Sequence, residues 1–116
     1  MATFTKTLLS GSTNGKSIDV TGTGTGAPVT VHTAVSGTSD LDEVWIYATN
    51  IGTSDIKLTL EWGETDVDGN IEVTIPGESG LTQVVPGLLL QNSLVIKAFA
   101  SVADVVMLHG FVNRIS

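Results

Sequence analysis

The sequence predicts an all-β protein: an antiparallel β-sandwich of seven to eight strands, jelly-roll or immunoglobulin-like, with an extended Gly/Thr-rich N-terminal segment. Three observations carry this. Short apolar runs alternate with a period of two residues. Gly-, Ser- and Asp-rich turn signals separate them at short intervals. No window holds a sustained 3.6-residue apolar period. The 116 residues, 41% of them hydrophobic, suffice for one core and not for two. A small barrel is the nearest alternative.

The first elements are weak. Short strands are expected near 5–9 and 17–20. Residues 11–26 are dominated by Gly, Ser and Thr, and Thr21–Gly26 strictly alternates Thr with Gly. Each Gly raises the entropic cost of ordering. The segment reads either as a loop or mobile arm, or as a strap that orders by strand addition on a neighbouring subunit. The chain accordingly divides into an N-terminal strand and arm, 1–27, and a sandwich domain, 28–116.

After Pro28 the strand signals are dense. Val29, Val31, Thr33 and Val35 share a face, and 36–40 is turn material. In 41–50, Val44, Ile46 and Ala48 share one face, Trp45, Tyr47 and Thr49 the other. In 56–62, Ile56, Leu58, Leu60 and Trp62 point inward and Lys57, Thr59 and Glu61 outward. Together 41–62 reads as one antiparallel hairpin. Asp68-Gly69 is a tight-turn signal ahead of Ile71, Val73 and Ile75, and Pro76 ends that strand. Leu81–Val85 forms a short strand before a Pro86-Gly87 turn. Leu88–Leu90, then 94–100, then 104–113 complete the set, with a hairpin loop at 101–103. Ser101-x-x-Asp104 has the form of a helix capping box. The run after it is short, begins with two Val, and is cut by Gly110, so a strand is preferred.

Charge narrows the function classes. Twelve acidic residues face five basic ones, Lys6, Lys16, Lys57, Lys97 and Arg114, scattered without a cluster. A nucleic-acid surface needs a concentrated positive patch, and an anionic membrane surface needs the same. Neither partner is expected. There is no cysteine, so no disulfide and no thiolate metal site. No run reaches the roughly 18 apolar residues of a membrane helix. Lys6 interrupts the N-terminus where a signal peptide would be apolar, so a product made and used in the cytoplasm until it assembles is expected.

No enzyme is expected either. His32 and His109 lie in separate strands without metal-ligand spacing, and read as histidines satisfied by backbone or a neighbour at a sheet surface. The acidic stretch 61–70 offers hard oxygen ligands. From Asp66 the EF-hand register fails, because Ile71 would take position 6 and Gly77 position 12. A calcium site of another geometry stays open. Glu61 and Glu64 flank Trp62, the pattern of a glycosidase carboxylate pair beside a sugar-stacking aromatic. Trp62 however shares a face with Leu60, and the chain has little material for a cleft. A Gly-x-Ser-x-Gly elbow is absent. Gly11–Ser17 ends like a phosphate loop, but Ser10 stands where the first Gly belongs. No catalytic residue, cofactor or metal ligand is assigned.

The strongest functional signal is two-sided hydrophobicity. A sandwich strand ordinarily has one core face and one wet face. Segments 44–48, 94–99 and 105–112 are apolar on both. The surplus points to a subunit contact, with Trp45, Tyr47, Leu88, Val95, Phe99, Val106 and Leu108 as candidate interface residues. The alternative is a carbohydrate-binding module with Trp45, Tyr47 or Trp62 exposed as a platform.

Three strings, Val84-Val85-Pro86-Gly87-Leu88-Leu89-Leu90, Ile96-Lys97-Ala98-Phe99-Ala100 and His109-Gly110-Phe111-Val112-Asn113-Arg114-Ile115, with Trp45–Asn50, resemble small virion structural proteins of tailed bacteriophages. Within that group the chain looks most similar to capsid decoration proteins. The resemblance spans roughly residues 41–115 and rests on no diagnostic motif. It implies a β-sandwich on the capsid surface of the virion, made in the host cytoplasm and often trimeric. Its partners would be copies of itself and the major capsid protein or another virion protein. An N-terminal arm would reach across capsomers. Tail, neck and fibre components share the same traits.

Overall fold

A computed structural model describes residues 2–116. Nine strands form two antiparallel sheets: β1 Phe4–Leu8, β2 Ile18–Asp19, β3 Val29–Thr33, β4 Leu41–Asn50, β5 Ile56–Trp62, β6 Asn70–Ile75, β7 Thr82–Leu90, β8 Val95–Ala100 and β9 Val106–Ile115. The larger sheet has the order β1-β9-β4-β7, with β2 also paired to β9. The smaller has the order β3-β8-β5-β6.

The pairing is nested. The first strand pairs with the last, β3 with β8, β4 with β7, and β5 with β6. The chain behaves as one long antiparallel ribbon whose tip is the β5–β6 hairpin, folded over so that successive rungs fall in alternate sheets. That tip was legible: Asp66 caps a short 3-10 turn at Val67–Gly69, accepting a hydrogen bond from the Asp68 N–H, and β6 starts at once.

Nesting overturns two sequence-based expectations. Residues 41–62 are not a hairpin. β4 lies in the larger sheet and β5 in the smaller, because the apolar stripes of both must face each other across the core. The 101–105 link likewise crosses between sheets rather than closing a β8–β9 hairpin. A third correction concerns Pro86-Gly87. β7 runs unbroken through it, with register shifts against β4 on both sides of Trp45. An edge strand tolerates Pro, and a bulge absorbs the extra residue.

The core is aliphatic. Val44, Ile46 and Ala48 of β4, Leu58 and Leu60 of β5, Ile96 and Ala98 of β8, and Val106, Leu108 and Val112 of β9 are wholly buried. Each of the Val, Leu and Ile side chains contributes about 1.5–3 kcal/mol when fully buried. Leu9, Ile18 and Val20, from the segment before residue 27, join the same core. The Gly/Thr-rich segment pairs with its own chain: Gly22 C=O accepts from Ala100 N–H, and Val20 exchanges backbone hydrogen bonds with Val106 and Asp104.

The inward stripe of β4 ends in a polar residue on each side, Asp42 and Asn50, both buried. Each ties the larger sheet to the smaller. Asp42 meets His32 of β3, and Asn50 donates to the Ile75 carbonyl of β6.

Candidate functional site

The outward face of the larger sheet is built from residues whose sequence period leaves them no core to enter. Direct antiparallel partners share a face, so the register gives its rows. Leu8, Phe111, Trp45 and Pro86 make one continuous apolar row across β1, β9, β4 and β7. Lys6, Asn113, Glu43 and Leu89 form the next row. Phe4, Ile115 and Leu41 lie beyond it. On the other side His109, Tyr47 and Gln83 follow.

Trp45 anchors this face. Its ring is parallel to that of Phe111, with centroids 6.0 Å apart and planes 10° from coplanar. Its indole N–H donates to Glu43 at 2.9 Å. It lies flat against the β7 bulge, where a Cβ on Gly87 would sit 2.9 Å from its Cζ2. Glycine at 87, with φ of 85°, supplies both the turn of the bulge and the room for the ring. The Lys6 ammonium stands 5.0 Å above the Phe111 centroid, a cation–π contact. The row residues half-bury one another, and Leu8 and Leu89 remain 49% and 51% exposed.

The expected interface set is split by the fold. Trp45 and Tyr47 are on this face. Leu88 is the partner of Val44, so it belongs to the inward side, exposed at the open rim of the edge strand; Leu89 takes the outward position. Val95 and Phe99 lie on the outer face of the smaller sheet, a separate surface. Val106 and Leu108 are fully buried in the chain's own core, which removes them from any contact surface. Leu8, Phe111 and Pro86 stand in the Trp45 row, outside the seven expected residues. The register, not the composition, makes them neighbours of Trp45. Trp62 packs against the core.

The buried polar groups do structural work. Ser10 N–H donates to His32 Nδ1 at 3.0 Å, so His32 carries its hydrogen on Nε2 and gives it to Asp42 at 2.8 Å. Asp42 also accepts from Val35 N–H and, doubly, from Arg114. His32 is thus partnered as expected, though in the interior rather than at a sheet surface. His109 lies in a row with Tyr47 on the outer face.

A hollow of about 220 Å³ lies beyond the ends of β5 and β8, lined by Gly63, Glu64, Leu94 and Lys97 among others. Among the described residues no three His, Cys, Asp or Glu side chains gather into a metal-binding group. No protein-family model matches the chain, and neither curated proteins nor solved structures give a match.

Proposed function

We propose that this chain is a non-enzymatic structural protein that assembles with copies of itself through the outer face of the larger sheet. The carrying observation is the Leu8–Phe111–Trp45–Pro86 row. It is an apolar band across four strands, with Leu8 half exposed at one end. Contiguous apolar surface of this kind marks contact sites. A face of four strands, five to ten residues long, spans roughly 540 Å² by strand geometry, about two-thirds of the ~800 Å² per partner of a stable interface. The acidic balance of the chain keeps the remaining surface soluble.

The nested strand order supports a finer reading of the fold as a jelly roll, the arrangement used in viral capsid and lectin domains. Together with the resemblance in its C-terminal strings, that reading favours a virion building block, a capsid decoration protein of a tailed phage. A shared architecture is analogy and does not by itself assign a role. The contact face is what makes the assembly reading testable.

The experiment is sedimentation velocity on the intact chain and on Leu8→Glu and Leu89→Glu. Both positions are exposed, so folding should persist, checked by far-UV circular dichroism. A wild-type oligomer that dissociates in both variants supports the proposal. A wild-type monomer at all concentrations that also fails to bind phage shells overturns it.

A further inference from the structure

Glu61 was expected to face solvent. It is 1% exposed. The Gly/Thr-rich loop before β3 folds over β8, and Thr25 donates its hydroxyl to Glu61 Oε2 at 2.7 Å. The other oxygen, Oε1, is buried and has no partner. Asn70, the direct partner of Glu61 on β6, also buries its Oδ1 without a partner. These are the unsatisfied buried side-chain atoms of the described residues, and they lie side by side on one row. On the opposite side of Glu61 the register partner is Lys97. It makes no ion pair with Glu61 and instead lines the neighbouring hollow.

Unpartnered oxygens on register-paired residues, one of them a carboxylate's, are stabilised when something positive lies between them. A buried carboxylate with one hydroxyl donor and no ion-pair partner is unfavourable unless a cation compensates it. The surroundings add negative potential. Glu64 folds back over Gly69, the residue before Asn70, its Cδ 3.3 Å from where a Gly69 Cβ would be. Carboxylate and amide oxygens are the donors that hard cations take, and calcium accepts them in irregular geometry completed by backbone oxygens and water.

We propose that Glu61 Oε1 and Asn70 Oδ1 are the core of a calcium site, roofed by the 22–27 loop and completed from the side by Glu64. Binding there ties three elements together: the roof loop through Thr25, the β5 strand, and the start of β6. The site is independent of the contact face on the other sheet.

The test uses the full chain stripped of divalent ions. Addition of CaCl₂ is followed by thermal unfolding, and TbCl₃ by luminescence excited through the adjacent Trp62. The expected result is a Tm rise of about 5 °C or more at a hundredfold excess over Kd, and sensitised terbium emission that calcium displaces. Glu61→Gln keeps an acceptor for Thr25 and abolishes both responses. Asn70→Ala weakens them at least tenfold and serves should the first variant not fold. No calcium response in the wild type overturns the proposal, the two oxygens then being satisfied by a turned Asn70 amide or a bridging water. A response that survives in both variants overturns it equally, placing the ion in the acidic loop instead.

Discussion

Arg114 and Asp42 are partners in the β9–β4 register, and the guanidinium grips the carboxylate with two hydrogen bonds, Nε to Oδ1 at 2.7 Å and Nη2 to Oδ2 at 2.9 Å. Asp42 is fully buried, and His32 and the Val35 amide complete its shell. Burial alone would raise its pKa. The hydrogen bonds from Arg114, then His32 and Val35, outweigh that and hold it below the usual carboxylate range. A pKa depressed by folding adds stability that is present above the unfolded value, about 3.9, and is lost as pH falls through the folded one. The wild type's resistance to urea should therefore fall below about pH 4. Asp42→Asn should cost about 3 kcal/mol at pH 7 and flatten the acid limb. An unchanged acid limb in the variant would show that other carboxylates govern it.

Gly110 was read from sequence as a helix breaker. The structure gives a different reason for it. A Cβ there would stand 2.0 Å from the Trp45 carbonyl oxygen, a backbone atom that cannot step aside. Gly110→Ala should cost about 3 kcal/mol by forced displacement of β9 from β4, and should perturb the near-UV circular dichroism of Trp45 through the Phe111 stack. A cost below about 0.5 kcal/mol would mean that the two strands lie farther apart.

This glycine illustrates what the sequence could and could not say. The period of two fixed which side of β4, β5, β8 and β9 is apolar, because that pattern is local. Partnership was not legible. Strands 41–50 and 56–62 are adjacent in sequence yet lie in opposite sheets, a choice set by core closure between distant segments. Thr59 and Glu61 carried an outward polar pattern and are nonetheless buried, at least for Glu61 because a loop over thirty residues upstream in sequence comes to rest on it. Asp42 and Asn50 fit the inward period of Val44, Ile46 and Ala48. Their polarity hid them, although a polar residue on an apolar stripe signals a buried partner.

Asp104 holds a left-handed conformation, φ 66°, and stands beside Asp19. Partial desolvation, then the hydrogen bond and charge of Asp104, raise the Asp19 pKa. A raised carboxyl pKa has the opposite sign to that of Asp42: a penalty on folding that sets in as pH rises through the titration range and vanishes in acid. Asp104→Asn removes the repulsion and keeps a side chain that tolerates left-handed backbone. Its Tm should exceed the wild type's at pH 7, with the gain shrinking towards pH 3. A gain that is constant with pH would point to backbone preference alone.

Asn50 closes the other end of the β4 stripe, 2% exposed. Its amide N–H groups donate to the carbonyls of Ser54 at 2.8 Å and Ile75 at 2.9 Å, and its Oδ1 accepts from Gly52 N–H at 2.9 Å. Asn50→Ala leaves these three backbone groups short of a partner and should cost about 3 kcal/mol at any pH. Asn50→Asp keeps the shape and the acceptor for Gly52 but turns a carboxylate oxygen towards two carbonyls. At pH 7 it should be the worse of the two. Its pKa must then lie above the ordinary range, since only the protonated form can donate to a carbonyl. The variant's deficit relative to wild type should therefore narrow as pH falls from 7 to 4, while that of Asn50→Ala stays level. Thermal unfolding of the three proteins across that range checks it, and parallel curves for the two variants would mean that the side chain at 50 does not face both carbonyls.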